Sequence, residues 1–153
     1  MNDTYIYQVI SLTFIWIYFM RFYEDGVNFE CTRCGNCCVC EGYVFMFEKD
    51  IRRLIDNEGY SLEDLKKNYL STYGEYIVLR SLNDNSCIFW DKEIKGCKVY
   101  RNRPTQCGTY PFWNTVFKTE RDFEVEKNFC PGIDDENGKH FTADEIDKLR
   151  NTY

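Results

Sequence analysis

The sequence has almost no histidine, no concentration of positive charge and no run of apolar residues long enough to settle a membrane span. A single histidine, His140, stands in a polar Gly138-Lys139-His140 stretch and does not read as a ligand. No nucleophile motif has a partnered histidine, no glycine-rich loop would cradle a phosphate, and no paired-carboxylate pattern presents itself, so no catalytic residue is assigned. Asp50, Asp84 and Asp91 read as caps of helices and turns. Oxygen ligands for magnesium or calcium are nowhere clustered. Net charge is −6 with the histidine neutral. The short groups Arg33, Arg52-Arg53, Lys66-Lys67 and Arg101/Arg103 read as solvated faces or counter-charges, which excludes nucleic acid as a partner, because affinity for phosphate backbones comes from clustered Lys and Arg. There is no internal repeat and no low-complexity run.

Residues 5–20 (YIYQVISLTFIWIYFM) carry no charge and are bounded by Asp3 and Arg21. As a helix they would span about 24 Å, short of a hydrocarbon core of about 30 Å. Gln8, Ser11 and Thr13 weaken a membrane anchor further. Three accounts stay open: an anchor with Arg21 on the cytoplasmic side, a dispensable extension with translation starting at Met20, or an element packed on the core. No small-residue cleavage site follows the run.

What the chain does have is cysteine and aromatic rings. Its 153 residues suffice for one domain with a single core, and 12 Phe, 12 Tyr and 3 Trp make that core ring-rich. Nine cysteines is an odd count, and five of them fall within Cys31-Thr32-Arg33-Cys34-Gly35-Asn36-Cys37-Cys38-Val39-Cys40. The adjacent pair Cys37-Cys38 could bridge to itself only through a strained ring. Thiolates on metal in a reduced, cytoplasmic compartment are favoured over disulfides.

Residues 42–47 read as a strand, and 48–58 as an amphipathic helix with Ile51, Leu54 and Ile55 on one face, closed by Gly59. Ser61 and Asp64 open a second helix with apolar face Leu62, Leu65, Tyr69 and Leu70. Residues 76–82 read as a strand, 83–85 as a turn, and 87–100 as a hairpin with a cysteine opening each strand. Pro104 starts a short helical turn carrying Cys107, where free N–H groups and the helix-end field are expected to lower the thiol pKa. Residues 112–118 read as a strand, and Thr119 with Asp122 opens a helix ending before Cys130. Phe141, Thr142 and Glu145 open a terminal helix over 142–151 with Ile146 and Leu149 facing in. The expected fold is α+β: one small domain with short strands, a hairpin and four helices, stabilised by a cysteine metal cluster. It divides into an apolar segment (1–20), a cysteine-cluster metal-binding domain (21–136) and a C-terminal capped helix (137–153).

Cys31-x2-Cys34-x2-Cys37 turns backbone around a metal, because two intervening residues let both sulfurs converge in one tight loop. Gly35-Asn36 supplies a pair tolerant of positive φ at the bend. Neighbouring side chains point apart, so Cys37 and Cys38 either feed two nearby centres or leave one spare. Cys87, Cys97, Cys107 and Cys130 bring the set to eight, enough for two four-thiolate zinc sites or one iron–sulfur centre plus a zinc. Soft thiolates select zinc or iron–sulfur. A packing role is plausible only for Cys40.

Together these residues resemble the YkgJ-type cysteine-cluster family of zinc- or iron-chelating domains. The resemblance rests on Cys31-x2-Cys34-Gly35-Asn36-Cys37-Cys38, Gly42-Tyr43-Val44, Cys87-Ile88-Phe89 and Gly96-Cys97-Lys98-Val99-Tyr100. It continues through Arg103-Pro104-Thr105-Gln106-Cys107, Tyr110-Pro111-Phe112-Trp113 and Cys130-Pro131-Gly132-Ile133, covering about residues 27–133. It implies a metal-binding function with Cys31, Cys34, Cys37, Cys38, Cys87, Cys97, Cys107 and Cys130 as ligands. A related cluster occurs in the flagellin lysine methylase group, but no separate methyl-donor site is visible here. Cys40 is an extra thiol, and Gly108 stands where the family often has arginine, removing a counter-charge near Cys107. Three functions compete: a cytosolic zinc- or iron-binding module, an iron–sulfur redox enzyme or electron carrier (oxidoreductase if any enzyme), and a disulfide-stapled extracytoplasmic domain tethered by residues 5–20.

Overall fold

The computed structural model describes residues 21–152. The readings made for residues 5–20 therefore lie outside the described residues. Six short strands form three antiparallel pairs, and the helices pack around them. In chain order these are β1 (Val27–Phe29), α1 (Asn36–Val39), α2 (Glu48–Glu58), α3 (Leu62–Asp64, continued by a π-helical turn Leu65–Tyr69), β2 (Leu70–Tyr73), β3 (Tyr76–Leu79), β4 (Trp90–Asp91) and β5 (Gly96–Cys97). A 3₁₀ turn (Tyr100–Asn102), α4 (Thr105–Thr109), α5 (Glu120–Phe129), β6 (Lys139–Phe141) and α6 (Ala143–Arg150) complete the α+β fold. Among the described residues no helix is long and apolar enough to cross a membrane.

Where a local signal exists, the element is where the sequence puts it. Helix α2 runs over Glu48–Glu58 and stops at Gly59 with φ 76°, a backbone region that a Cβ disfavours. The hydroxyls of Ser61, Thr119 and Thr142 accept from the N–H groups of Asp64, Asp122 and Glu145, each satisfying a helix-end donor with no partner in the helix itself. The turn at 83–85 closes through the Ser86 N–H and Oγ–H, which donate to Asp84, and the Asp91 carboxylate accepts from the N–H groups of Glu93 and Ile94.

Four expectations fail. Residues 112–118 form successive turns, not a strand. Phe112, Val116 and Phe117 are all buried in one core, a spacing of four and five that matches turns of helical pitch and not alternation. Leu70 leaves the second helix and starts β2, which pairs with β3 in the register Leu70↔Leu79. Leu62 stays exposed. Residues 42–47 make a single bridge, Phe45↔Val78, held by Met46 N–H to Ile77 O and Leu79 N–H to Val44 O.

Among the described residues the expected single core is two. An inner core gathers Met46, Leu54, Leu65, Leu70, Leu79, Phe89 and Val99, all from one contiguous stretch. An outer core gathers Tyr23 and Val27 from one end of the described chain with Phe112, Phe117, Phe123, Cys130, Ile133 and Ile146 from the other. Strands β1 and β6 pair across this outer core, Val27↔Phe141, and place His140 opposite Asn28, with Nδ1 and Oδ1 2.9 Å apart. The aromatic rings concentrate in the outer core, while the inner one is mostly leucine. A thiol-lined cavity lies between them.

Candidate metal centre

The loop that carries the first thiols hangs on the segment that carries the last. Immediately before Cys31, the Glu30 N–H donates to Gly132 O at 3.1 Å. A Cβ on Gly132 would stand 2.1 Å from Glu30 O, so only glycine allows this approach. Arg33 (φ 56°) and Gly35 (φ 87°) reverse the chain. Asn36 is helical: the second left-handed residue is Arg33, not the Asn36 that sequence favoured, and the Asn36 amide instead donates to Phe129 O at 2.7 Å, next to Cys130. Gly35 has a second reason to lack a side chain. A Cβ there would lie 2.3 Å from the Trp90 ring, which closes over the loop.

The other thiols arrive from the far side. The Cys87 N–H donates to Cys38 O at 2.7 Å, joining α1 to the β4–β5 hairpin, in which Trp90 pairs with Cys97. Cys107 sits within α4, whose first residue is clamped by Asp50. That fully buried carboxylate accepts from Thr105 N–H (2.9 Å) and Thr105 Oγ1 (2.6 Å), reaches back to Phe47 N–H (3.0 Å), and pairs with Arg53 at 2.6 Å. Arg53 also donates to Arg103 O at 2.8 Å, which fixes the backbone at Arg103. Cys130 ends α5 and is buried in the outer core.

Cys31, Cys34, Cys37, Cys38, Cys87, Cys97, Cys107 and Cys130 all line one cavity of about 100 Å3. All nine cysteines are free thiols. Cys40 does not line this cavity; it borders a second pocket of about 120 Å3, alongside Cys37, Cys38 and Cys87. Its thiol donates to Cys37 O at 3.6 Å. Among the described residues no three His, Cys, Asp or Glu side chains are already gathered at metal-binding spacing. The eight thiols ring the space instead of meeting at a point. Phe29, Phe89, Trp90, Tyr110 and Trp113 complete much of the wall, so Tyr110 and Trp113 serve the cavity while Pro111 and Phe112 between them are buried in the protein.

The electrostatics of the ring suit a bound cation. A thiol of Cys38 hydrogen-bonded to the Cys37 sulfur, helped against burial by the Cys37 N–H and by Arg103, lowers the Cys37 pKa to about 7. The same bond, burial and the nearby sulfurs push Cys38 strongly the other way. Burial pushes Cys87 up to about 11, opposed by the N–H groups of Phe89 and Trp90 aimed at its sulfur. Cys97 and Cys130 repeat the pattern, raised by burial and pulled back by the N–H groups of Val99 and Gly132, two residues on. Backbone N–H groups turned toward sulfur favour thiolate, yet charge on each sulfur opposes charge on the next, and a cation among them removes that opposition. The donor set and its N–H groups thus fit a thiophilic metal.

Cys107 departs from expectation. Its thiol is raised, because burial and the charges of Cys87, Cys37 and Cys97 outweigh Arg103. Arg103 opposes that rise and supplies a counter-charge where Gly108 supplies none. Arg33 and Arg103 were ambiguous in the sequence. Both line the cavity, and each guanidinium lies 4.3 Å from the centre of the Tyr100 ring. The sequence placed Tyr100 in the Gly96-Cys97-Lys98-Val99-Tyr100 motif and Asp50 at a helix cap, but no pattern pointed to Tyr100 or Trp90 as cavity wall or to the reach of Asp50 to Thr105; the nearest signal was the density of aromatic residues around the cysteines.

Comparison with known proteins agrees with this reading. Two archaeal proteins of Methanocaldococcus jannaschii are similar: "Uncharacterized protein MJ0661" is 29% identical over 90 residues, covering 59% of this chain and 48% of its own. "Uncharacterized protein MJ0939" is 25% identical over 114 residues, covering 71% of this chain and 38% of its own. The chain thus spans less than half the length of these curated relatives. No solved structure matches it. Residues 30–131 match the model of the CxxCxxCC family, described as "Putative zinc- or iron-chelating domain", and with two thirds of its length inside that match the chain belongs to this family.

Proposed function

We propose that the chain is a metal-binding protein that holds zinc or iron through the thiolates of Cys31, Cys34, Cys37, Cys38, Cys87, Cys97, Cys107 and Cys130. One observation carries this reading: eight thiols from five separate stretches line one cavity, and the ninth does not. With the buried apolar residues split into two small cores, ligation contributes much of the stability, on the order of 10 kcal/mol for a thiolate site in a small domain. The test is elemental analysis with an absorption spectrum on protein purified without air, followed by melting with and without a strong chelator. Stoichiometric metal and a lowered thermal transition on chelation are expected. An unchanged transition and unchanged far-UV circular dichroism overturn the reading.

A second reading is an iron–sulfur electron carrier or redox enzyme, favoured by the ring of Phe29, Phe89, Trp90, Tyr110 and Trp113, since burial and exclusion of water are levers on cluster potential. Anaerobic protein would then be brown and carry sulfide. Colourless protein with stoichiometric zinc refutes it. The nine unpaired thiols favour a reduced, cytoplasmic compartment over a disulfide-stapled extracytoplasmic domain, and an anchor through residues 5–20 with the domain on the cytoplasmic side is compatible with them.

A further inference from the structure

Arg21, Arg52, Arg53 and Arg150 each lie against a carboxylate. Arg80 and Glu41 differ. Both line the second pocket, the one of about 120 Å3 beside the thiol cavity, yet among the described residues neither takes part in an ion pair, with the other or with any third group. Neutral partners hold them instead. Arg80 Nε donates to Leu70 O at 2.8 Å, and among the described residues its two terminal nitrogens meet no acceptor. Glu41 Oε1 accepts from the Asn85 amide at 3.3 Å, and its other oxygen has no donor among them. Opposite charges that share so small a pocket attract, and a direct pair would close it. Held apart, they leave one place for a carboxylate and one for an ammonium. Both residues are exposed, so a ligand reaches them from solvent. The inner wall is of another kind: Cys37, Cys38 and Cys87 with Val44, Leu79 and Trp113, side chains that also line the thiol cavity. The part of a ligand turned away from the two charges therefore meets apolar carbon and sulfur.

We propose that the second pocket binds a free α-amino acid with a short uncharged side chain, its carboxylate on Arg80, its ammonium on Glu41 and its side chain against the wall shared with the thiol cavity. At neutral pH such a molecule carries both charges at once, and a guanidinium fork suits a carboxylate. A simple anion or a simple cation would leave one of the two pocket charges unmatched as water is displaced. The limited volume excludes long side chains. The site goes beyond metal binding and does not depend on which metal the neighbouring thiols hold.

The test is calorimetric titration of the full chain, purified without air, with L-alanine, N-acetyl-L-alanine, L-alanine methyl ester and L-lysine. Saturable one-to-one binding of L-alanine is expected. Acetylation removes the ammonium charge and esterification the carboxylate charge, and each is expected to weaken binding about tenfold or more, the worth of one charge-assisted contact. L-lysine is expected to bind more weakly than L-alanine. In Arg80→Gln the ester should bind as the free amino acid does, and in Glu41→Gln the acetylated form should. Glu41→Gln keeps an acceptor for the Asn85 amide, so it leaves that loop tied. No saturable binding of L-alanine to wild type, or acetylated and esterified forms that bind it as tightly as L-alanine, overturns the proposal. Neither result needs a variant to fold, and neither bears on the metal content that tests the metal-binding reading.

Discussion

Asp50 offers a quantitative test of how the helix that carries Cys107 is held. Replacing it with alanine strips partners from Thr105 N–H and Oγ1, from Phe47 N–H and from Arg53. Two buried donors left without a charged acceptor cost about 1.5 kcal/mol each. Loss of the bond that closes the start of α2 adds about 1 kcal/mol. The Arg53 ion pair adds little, because that side chain is 38% exposed and solvent screens it. The expected loss is therefore about 4 kcal/mol, or about 12 °C at roughly 3 °C per kcal/mol for a chain of this size. Asp50→Asn keeps one acceptor and should fall between. The assay is thermal unfolding of metal-loaded protein, with Asp56→Ala, exposed on the same helix, as the control expected to stay within about 0.5 kcal/mol. A loss below about 1 kcal/mol for Asp50→Ala, or an equal loss in the control, would refute the clamp.

Other substitutions probe other parts of the fold. Gly35→Ala forces a Cβ into the Trp90 ring and a side chain onto a positive φ, which should cost about 3 kcal/mol and speed metal loss to a competing chelator; wild-type retention would contradict it. Cys40→Ser should bind metal with unchanged stoichiometry and spectrum, because Cys40 lies outside the cavity, and a lost ion would make it a ligand. Burial pushes the Asp147 carboxyl up, but hydrogen bonds from Arg21 and Tyr23 bring it below its usual value. Its contribution is thus present above the unfolded pKa of about 3.9 and lost as pH falls through the folded value. The urea midpoint of wild type minus that of Asp147→Asn should shrink on acidification from pH 6 to 3, and a constant gap would count against the ion pair.

What the sequence made legible was whatever depends on neighbours in the chain. Ser61, Thr119 and Thr142 announce helices because a capping hydroxyl serves an N–H three residues away. The cysteine spacings announce a thiol set for the same reason. What was hidden depends on distant partners: β1 finds β6 more than a hundred residues on, and Asp50 finds Thr105 across 55. Cys107 was misjudged because a helix start is visible in sequence while burial is not. The turns at 112–118 were misjudged because aromatic residues suit a strand as well as a tight reversal, and only the core chooses between them.

The nesting of one core inside the other orders events during synthesis. Residues 44–99 can collapse as soon as they leave the ribosome, since their contacts are close in sequence, whereas the outer core must wait for Phe112, Phe123 and Ile146 to meet Tyr23 and Val27. A nascent chain emerged through α4 already carries seven of the eight cavity thiols and lacks only Cys130. Seven thiols are thus out of the ribosome before the segment that carries Cys130 closes the last side of the cavity.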